Sequence, residues 1–289
     1  MGEIKDFECT YDNASENNPD AAKKLGLAFP DAYLYADTMA ALSKANKENA
    51  DSAMCILPFC HTVEAEAMGG IITLGNETAG PRAREYVCED VEELLRLPAI
   101  DLTKGRIREV LSACAQLREE GEHVVLEVAG PMTILNVLID PKHVFKGMRK
   151  RPEIMAQVFE KLGSEVLRYV EEAKKCGVDM VSYADSAGSL SILGPKMAEQ
   201  MVEMFTYGFV KKLEAMADEH TIILLCPKTT YALLGMDKAE LREIPLSEAV
   251  TYGEGCVEVI GRAKMLGQQC VKNIGYILKQ STIKEVILK

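Results

Sequence analysis

Cysteine, histidine and carboxylate side chains carry much of the chemistry open to a protein, and in this chain they recur where apolar runs stop. The stretch Thr221–Thr230 reads TIILLCPKTT: β-type apolar residues end in Cys226, Pro227 follows, and a helical pattern runs from Tyr231. Side chains two apart on a strand share a face, so Leu224 and Cys226 point the same way. The C-terminal strand ends of a parallel α/β barrel line its ligand pocket. Cys226 there either offers its sulfur to a site or packs as a small hydrophobe. The pattern repeats with Cys9 at the end of IKDFECT, Cys60 and His61 at the end of SAMCILPFC, and Asp185 at the end of VDMVSYAD. Glu127 lies inside VVLEVAG, where an inward carboxylate needs a partner and becomes an acid–base candidate. Asp185 either binds a polar ligand group or satisfies loop N–H groups.

The elements needed to position these residues alternate along the chain. Residues 4–10 read as a strand, 21–25 as a short helix ended by Gly26, and 31–47 as an amphipathic helix. The apolar run 52–60 reads as a strand buried on both faces. A helical turn over 62–68 carries Glu66, and 71–74 is a short extra strand outside the barrel. Residues 75–84 read as a long loop. Helix 104–119, strand 123–128, helix 152–176, strand 178–185 and helix 195–219 then lead into the Cys226 strand. Repeated strand–helix–strand units mean a parallel sheet. Glycines with the spacing of a dinucleotide or phosphate loop are absent, and together with the length this favours a barrel in one domain over residues 1–289. Over the last sixty or so residues, 240–247 reads as a short strand and 256–266 as a helix; 270–274 and 283–288 each suit a strand or a helix.

Composition narrows the function classes. With 33 basic against 44 acidic residues, the net charge of −11 argues against a nucleic-acid backbone binder. The absence of Trp and the 6% aromatic content argue against base-stacking platforms. No apolar run reaches the ~20 residues of a membrane span and no secretory core is visible, so a cytoplasmic protein is expected. Nine scattered cysteines without a CxxC pair suit free thiols, a few of them catalytic or metal-bound. Whether the chain forms a homo-oligomer is left open.

At LPFCHTVEAEAMG (57–69), AGPMTI (129–134), YADSAGS (183–189) and ILLC (223–226), the chain resembles the uroporphyrinogen decarboxylase superfamily, and within it the branch of cobamide-dependent methyltransferases. The resemblance implies a (β/α)8 TIM barrel, with Glu66 and Asp185 at family positions. It does not favour the decarboxylases, whose N-terminal arginines grip a polyanionic tetrapyrrole: residues 1–81 contain no arginine. For the methyltransferases the resemblance implies zinc, held by His-x-Cys on one strand and a distant second cysteine, which activates a thiol. Here Cys226 is kept, Leu224 stands at the histidine's place, and Cys270 is the remaining thiolate candidate. The chain ends at Lys289, before the second cysteine's segment, so the barrel is expected to be shortened at its C-terminal end. No Asp-x-His-x-x-Gly corrinoid motif occurs, so methylcobamide is expected on a separate corrinoid protein, with a small thiol or folate as acceptor. A barrel that has lost its metal and its activity, or a lyase using Asp185 and Glu127, are the alternatives.

Overall fold

In the computed structural model, residues 19–76, 79–278 and 280–289 are described. Cys9 and the strand expected over 4–10 lie outside them. The strands are β1 Cys55–Leu57, β2 Ile71–Thr73, β3 Arg82–Glu85, β4 Val124–Ala129, β5 Met180–Ala184, β6 Ile222–Leu225, β7 Ala239–Pro245, β8 Met265–Leu266 and β9 Thr282–Leu288.

The main sheet has the order β1-β4-β5-β6-β8-β9-β7. Its first five strands are parallel, with Leu57 opposite Leu126, Leu126 opposite Val181, and Val181 opposite Ile223. All five C-terminal strand ends therefore open on one side. The period-2 alternation divides the side chains between two apolar layers. Val124, Leu126, Val181, Tyr183 and Ile223 pack with residues of the outer helices, such as Leu111, Phe159 and Phe209. Val125, Met180, Ile222 and Leu224 face the other way and pack with Tyr252, Cys256 and Leu278. Strand β4 is buried at every position, which explains its unbroken apolar run around Glu127. Truncating a fully buried member such as Leu126 to Ala would cost about 2–5 kcal/mol.

The expected order of elements holds through β6, with shorter strands. Pro58 has no N–H to donate, and β1 stops at Leu57 rather than running to Cys60. The expected extra strand is β2, but it pairs antiparallel with β3, inside what reads as loop in the sequence. The residues of β3 (RARE) are largely exposed and carry no apolar alternation. Helix 195–219 is broken into Pro195–Met201, a π turn Val202–Thr206 and Tyr207–Glu214.

The C-terminal part departs further. The helix expected over 256–266 is Tyr252–Glu258, started early by a capping box in which Thr251 and Glu254 satisfy each other's backbone N–H. Met265–Leu266 is strand β8, too short for a period to register. The open choice at 283–288 resolves as strand β9, which runs antiparallel to both β8 and β7. The segment 270–274 holds a single 3-10 turn, Val271–Asn273.

Candidate functional site

The loops after β1, β4, β5 and β6 meet at one end of the sheet and carry most of the candidate residues. The turn Ala129-Gly130-Pro131 links β4 to the helix Pro131–Leu138, whose first N–H groups point at Asp185 after β5. Asp185 Oδ1 accepts from the Thr133 N–H at 2.8 Å and the Thr133 hydroxyl at 3.0 Å; Oδ2 accepts from the Met132 N–H at 3.4 Å. The carboxyl thus caps a neighbouring helix, where the N-terminal partial charge favours an anion. Burial nevertheless outweighs these bonds and pushes its pKa up to about 6. Gly130 is required by this approach: a Cβ there would lie 2.3 Å from that of Asp185.

Glu64, on the helix Val63–Ala67, reaches the same turn from the other side. Its carboxylate accepts from the Ala129 N–H at 2.7 Å, and full burial holds its pKa above the ordinary carboxylate range. Glu66 lies two residues on and faces away. It is bound by Arg106, whose Nε donates to it at 2.7 Å, while Nη1 reaches the Cys60 sulfur at 3.0 Å and Nη2 the Thr62 hydroxyl at 2.7 Å. Burial pulls the Arg106 pKa down, but Cys60 and Glu66 more than offset it, so the net direction is upward. Glu66 is therefore half of an ion pair, and Cys60 lies in a buried pocket of donors. His61, between them in sequence, is partly exposed; its Nδ1 is shielded and has no hydrogen-bond partner among the described residues.

Glu127 is buried on the inner face of β4 and paired with Lys272 from the 3-10 turn. Among the described residues, Glu127 pairs with Lys272 from the inner face, whereas Asp185 is held by Met132 and Thr133 over the outer helix layer. Cys226 ends β6 as the N-cap of the helix Pro227–Gly235 and is buried. Cys270 precedes the 3-10 turn and is half-buried.

Among the described residues, no three His, Cys, Asp or Glu side chains stand together as a metal could be held. Leu224, at the histidine's place in the resemblance, is 2% exposed within an apolar cluster and cannot be a donor. Among the described residues, the donor set around Cys226 and Cys270 does not fit zinc.

Sequence reasoning missed Glu64, Arg106 and Lys272. Two glutamates two apart on a helix point in different directions, so only one of Glu64 and Glu66 could face the β4 turn. Arg106 carried a signal: a cation in a helix's first turn opposes the dipole unless something else holds it.

Beside Asp185, a cavity of about 20 Å³ is lined by Ser189, Thr206, Lys228 and Thr229 together with apolar residues such as Met201 and Val202. It borders a groove of about 470 Å³ between Leu190, Val202 and Tyr231.

The uroporphyrinogen decarboxylase (URO-D) family model matches residues 18–268. The methylcobamide:CoM methyltransferase MtaA of Methanosarcina barkeri is 27% identical over 248 residues, covering 84% of this chain and 72% of the relative. The methylcobamide:CoM methyltransferase MtbA of Methanosarcina acetivorans is 24% identical over 228 residues, covering 78% and 67%. Among solved structures, a methyltransferase from Methanosarcina mazei superposes with a TM-score of 0.65 at 23% identity, covering 81% of this chain and 68% of that one. The parallel strands inside outer helices are thus the TIM-barrel arrangement. The chain belongs to the uroporphyrinogen decarboxylase family.

Proposed function

We propose that the protein transfers a methyl group between a corrinoid, carried by a partner protein, and a small acceptor such as a thiol or folate. The observation that carries this reading is the likeness to methylcobamide:CoM methyltransferases over more than three quarters of the chain. The site is compatible with it. Cys60, His61, Asp185 and Cys226 follow parallel strands whose C-terminal ends share one side.

In this reading the methylcorrinoid is a substrate presented at that mouth. The exposed apolar side chains Leu190, Ile192 and Tyr231 stand on helices that follow β5 and β6, and offer a partner protein an apolar footing. Asp185 and Glu64 fix the β4 turn and so the floor on which an acceptor would lie. A cytoplasmic location remains part of the proposal; among the described residues no helix is long and apolar enough to cross a membrane.

The test is consumption of methylcobalamin, followed by its visible spectrum, with thiol and folate acceptors supplied in turn. Demethylation that needs both protein and acceptor supports the proposal; no demethylation with any acceptor refutes it. One observation favours a second reading, a barrel without activity: Leu224 sits in the apolar lining where the family resemblance places a metal-binding histidine. The same assay separates the two.

A further inference from the structure

The helix Pro141–Lys150 reads PKHVFKGMRK and carries four cations, Lys142, Lys146, Arg149 and Lys150, with no acidic residue. Lys142, Lys146 and Lys150 follow one another at i, i+4 and i+8, and Arg149 falls at i+7, so the four stand on one face. All four are exposed. The apolar residues Val144, Phe145 and Met148 pack into the core on the other side.

Helix stability does not account for this row. Like charges at i and i+4 repel, and Lys142 in the first turn opposes the helix dipole. Only Arg149 and Lys150, in the last turn, suit it. The neighbours do not neutralise the face either. Lys142 pairs with the N-cap Asp140 at 2.8 Å, while Lys146, Arg149 and Lys150 have no ion pair among the described residues. The carboxylates beside the helix C-terminus, Asp90 and Glu92, are taken by Arg151 at 2.7 and 3.2 Å.

The face also has a definite place. Strand β4 ends at Ala129 on the mouth side, and the chain must return to the far end of the sheet before β5 starts at Met180. The helix Pro152–Lys175, about 36 Å long, is sufficient for that return by itself. Helix Pro141–Lys150 precedes it and so stays at the mouth end. Its start is tied to the segment leaving β3, where the Val87 and Cys88 N–H groups donate to the Leu138 carbonyl at 3.0 and 3.1 Å. Tyr86, next to Val87, is 48% exposed. Tyrosine and arginine are the residue types that anchor protein interfaces.

We propose that this basic face docks an acidic surface of the partner protein that carries the methylcorrinoid. The identity of that partner rests on the methyl-transfer reading above. Charge complementarity names the chemistry: in a chain of net charge −11, this row of cations is a local positive field. A membrane is disfavoured because the apolar residues of the helix face the core and leave none to insert. A nucleic acid is disfavoured because a polyphosphate would run on from the patch over a chain that is acidic elsewhere. A carrier must leave after each methyl transfer, and steering by exposed charges speeds its arrival without tight binding.

The experiment measures fluorescence anisotropy of a labelled poly-L-glutamate peptide titrated with the full chain, at about 20 and about 200 mM NaCl, where screening differs most. Wild type is compared with Lys146→Gln/Arg149→Gln/Lys150→Gln and with a control of equal charge change on exposed residues elsewhere, Lys23→Gln/Lys24→Gln/Lys264→Gln. Binding to wild type at low salt is expected to weaken about tenfold or more in the first variant, to change little in the control, and to be lost at the higher salt. No binding of the peptide by wild type overturns the proposal, as does equal loss in the two variants. Tighter binding of a short DNA duplex, or of phosphatidylserine–phosphatidylcholine vesicles, through the same three residues also overturns it and assigns the face to that ligand. Demethylation of free methylcobalamin by wild type is measured separately. Its absence with every acceptor refutes the methyl-transfer reading and with it the partner's identity, while the peptide still decides whether the face takes an acidic surface.

Discussion

Replacing Asp185 by Asn isolates the cost of burying one carboxylate. Asn keeps an oxygen for the Thr133 N–H and hydroxyl, and it has no charge to desolvate. The sign follows from the direction in which burial moves the pKa. Burial raises the Asp185 pKa from 3.8 to about 6 in the folded protein, so between those values the folded state holds the proton more tightly than the unfolded chain. Stability from this group is therefore fully present below pH ~4 and is lost as pH rises through about 6. A tenfold difference in proton affinity between the folded and unfolded states is worth about 1.36 kcal/mol, and integrating over the interval from pH 4.5 to 7.5 gives a loss of about 2 kcal/mol. The Asn variant lacks this loss.

Urea unfolding of both proteins at the two pH values measures a double difference in which all other titrations cancel. The stability of Asp185→Asn relative to wild type should rise by about 2 kcal/mol between pH 4.5 and 7.5. Parallel pH profiles would show that Asp185 is not buried as described. A change of opposite sign would show that its helix-capping bonds dominate its desolvation.

The other predictions concern the groups packed around that turn. Arg106→Met leaves Glu66, Cys60 and Thr62 without their shared donor and should cost about 3 kcal/mol in urea unfolding, with Arg106→Lys recovering only part because an ammonium lacks the guanidinium fork. Gly130→Ala forces Asp185 off the turn and should cost about 1–3 kcal/mol while flattening the pH dependence described above. Protein purified without chelators should hold zinc well below one equivalent by elemental mass spectrometry, and Cys226→Ser should not change that content; stoichiometric zinc lost in the variant would refute the reading of Leu224 as apolar lining.

The sequence made the parallel strands legible where burial on both faces leaves long apolar runs, as at Val124–Ala129 and Ile222–Leu225. It failed where tertiary contacts replace periodicity. Met265–Leu266 forms only two residues of strand, and its pairing to β6 and β9 cannot register in so short a span. The antiparallel register of β7 against β9 depends on residues more than forty apart in the chain, such as Arg242 and Glu285, whose ion pair closes across the ladder. The site was legible by position more than by role: strand-end placement found Cys60, His61, Asp185 and Cys226, while their partners decide what each can do.

Those partners separate residues that look alike in sequence. Glu64, Glu66, Glu127 and Asp185 are four carboxylates near predicted strand ends, and each has a different counterpart. Glu66 and Glu127 face cations, Arg106 and Lys272, and so have charge partners of their own. Glu64 and Asp185 face backbone N–H groups of one turn, whose partial charges do not offset burial. Burial thus raises the pKa of both carboxyls, that of Asp185 to about 6. The Arg106 guanidinium joins Glu66 to Cys60 and Thr62, so this carboxylate is part of the frame that holds the segment after β1.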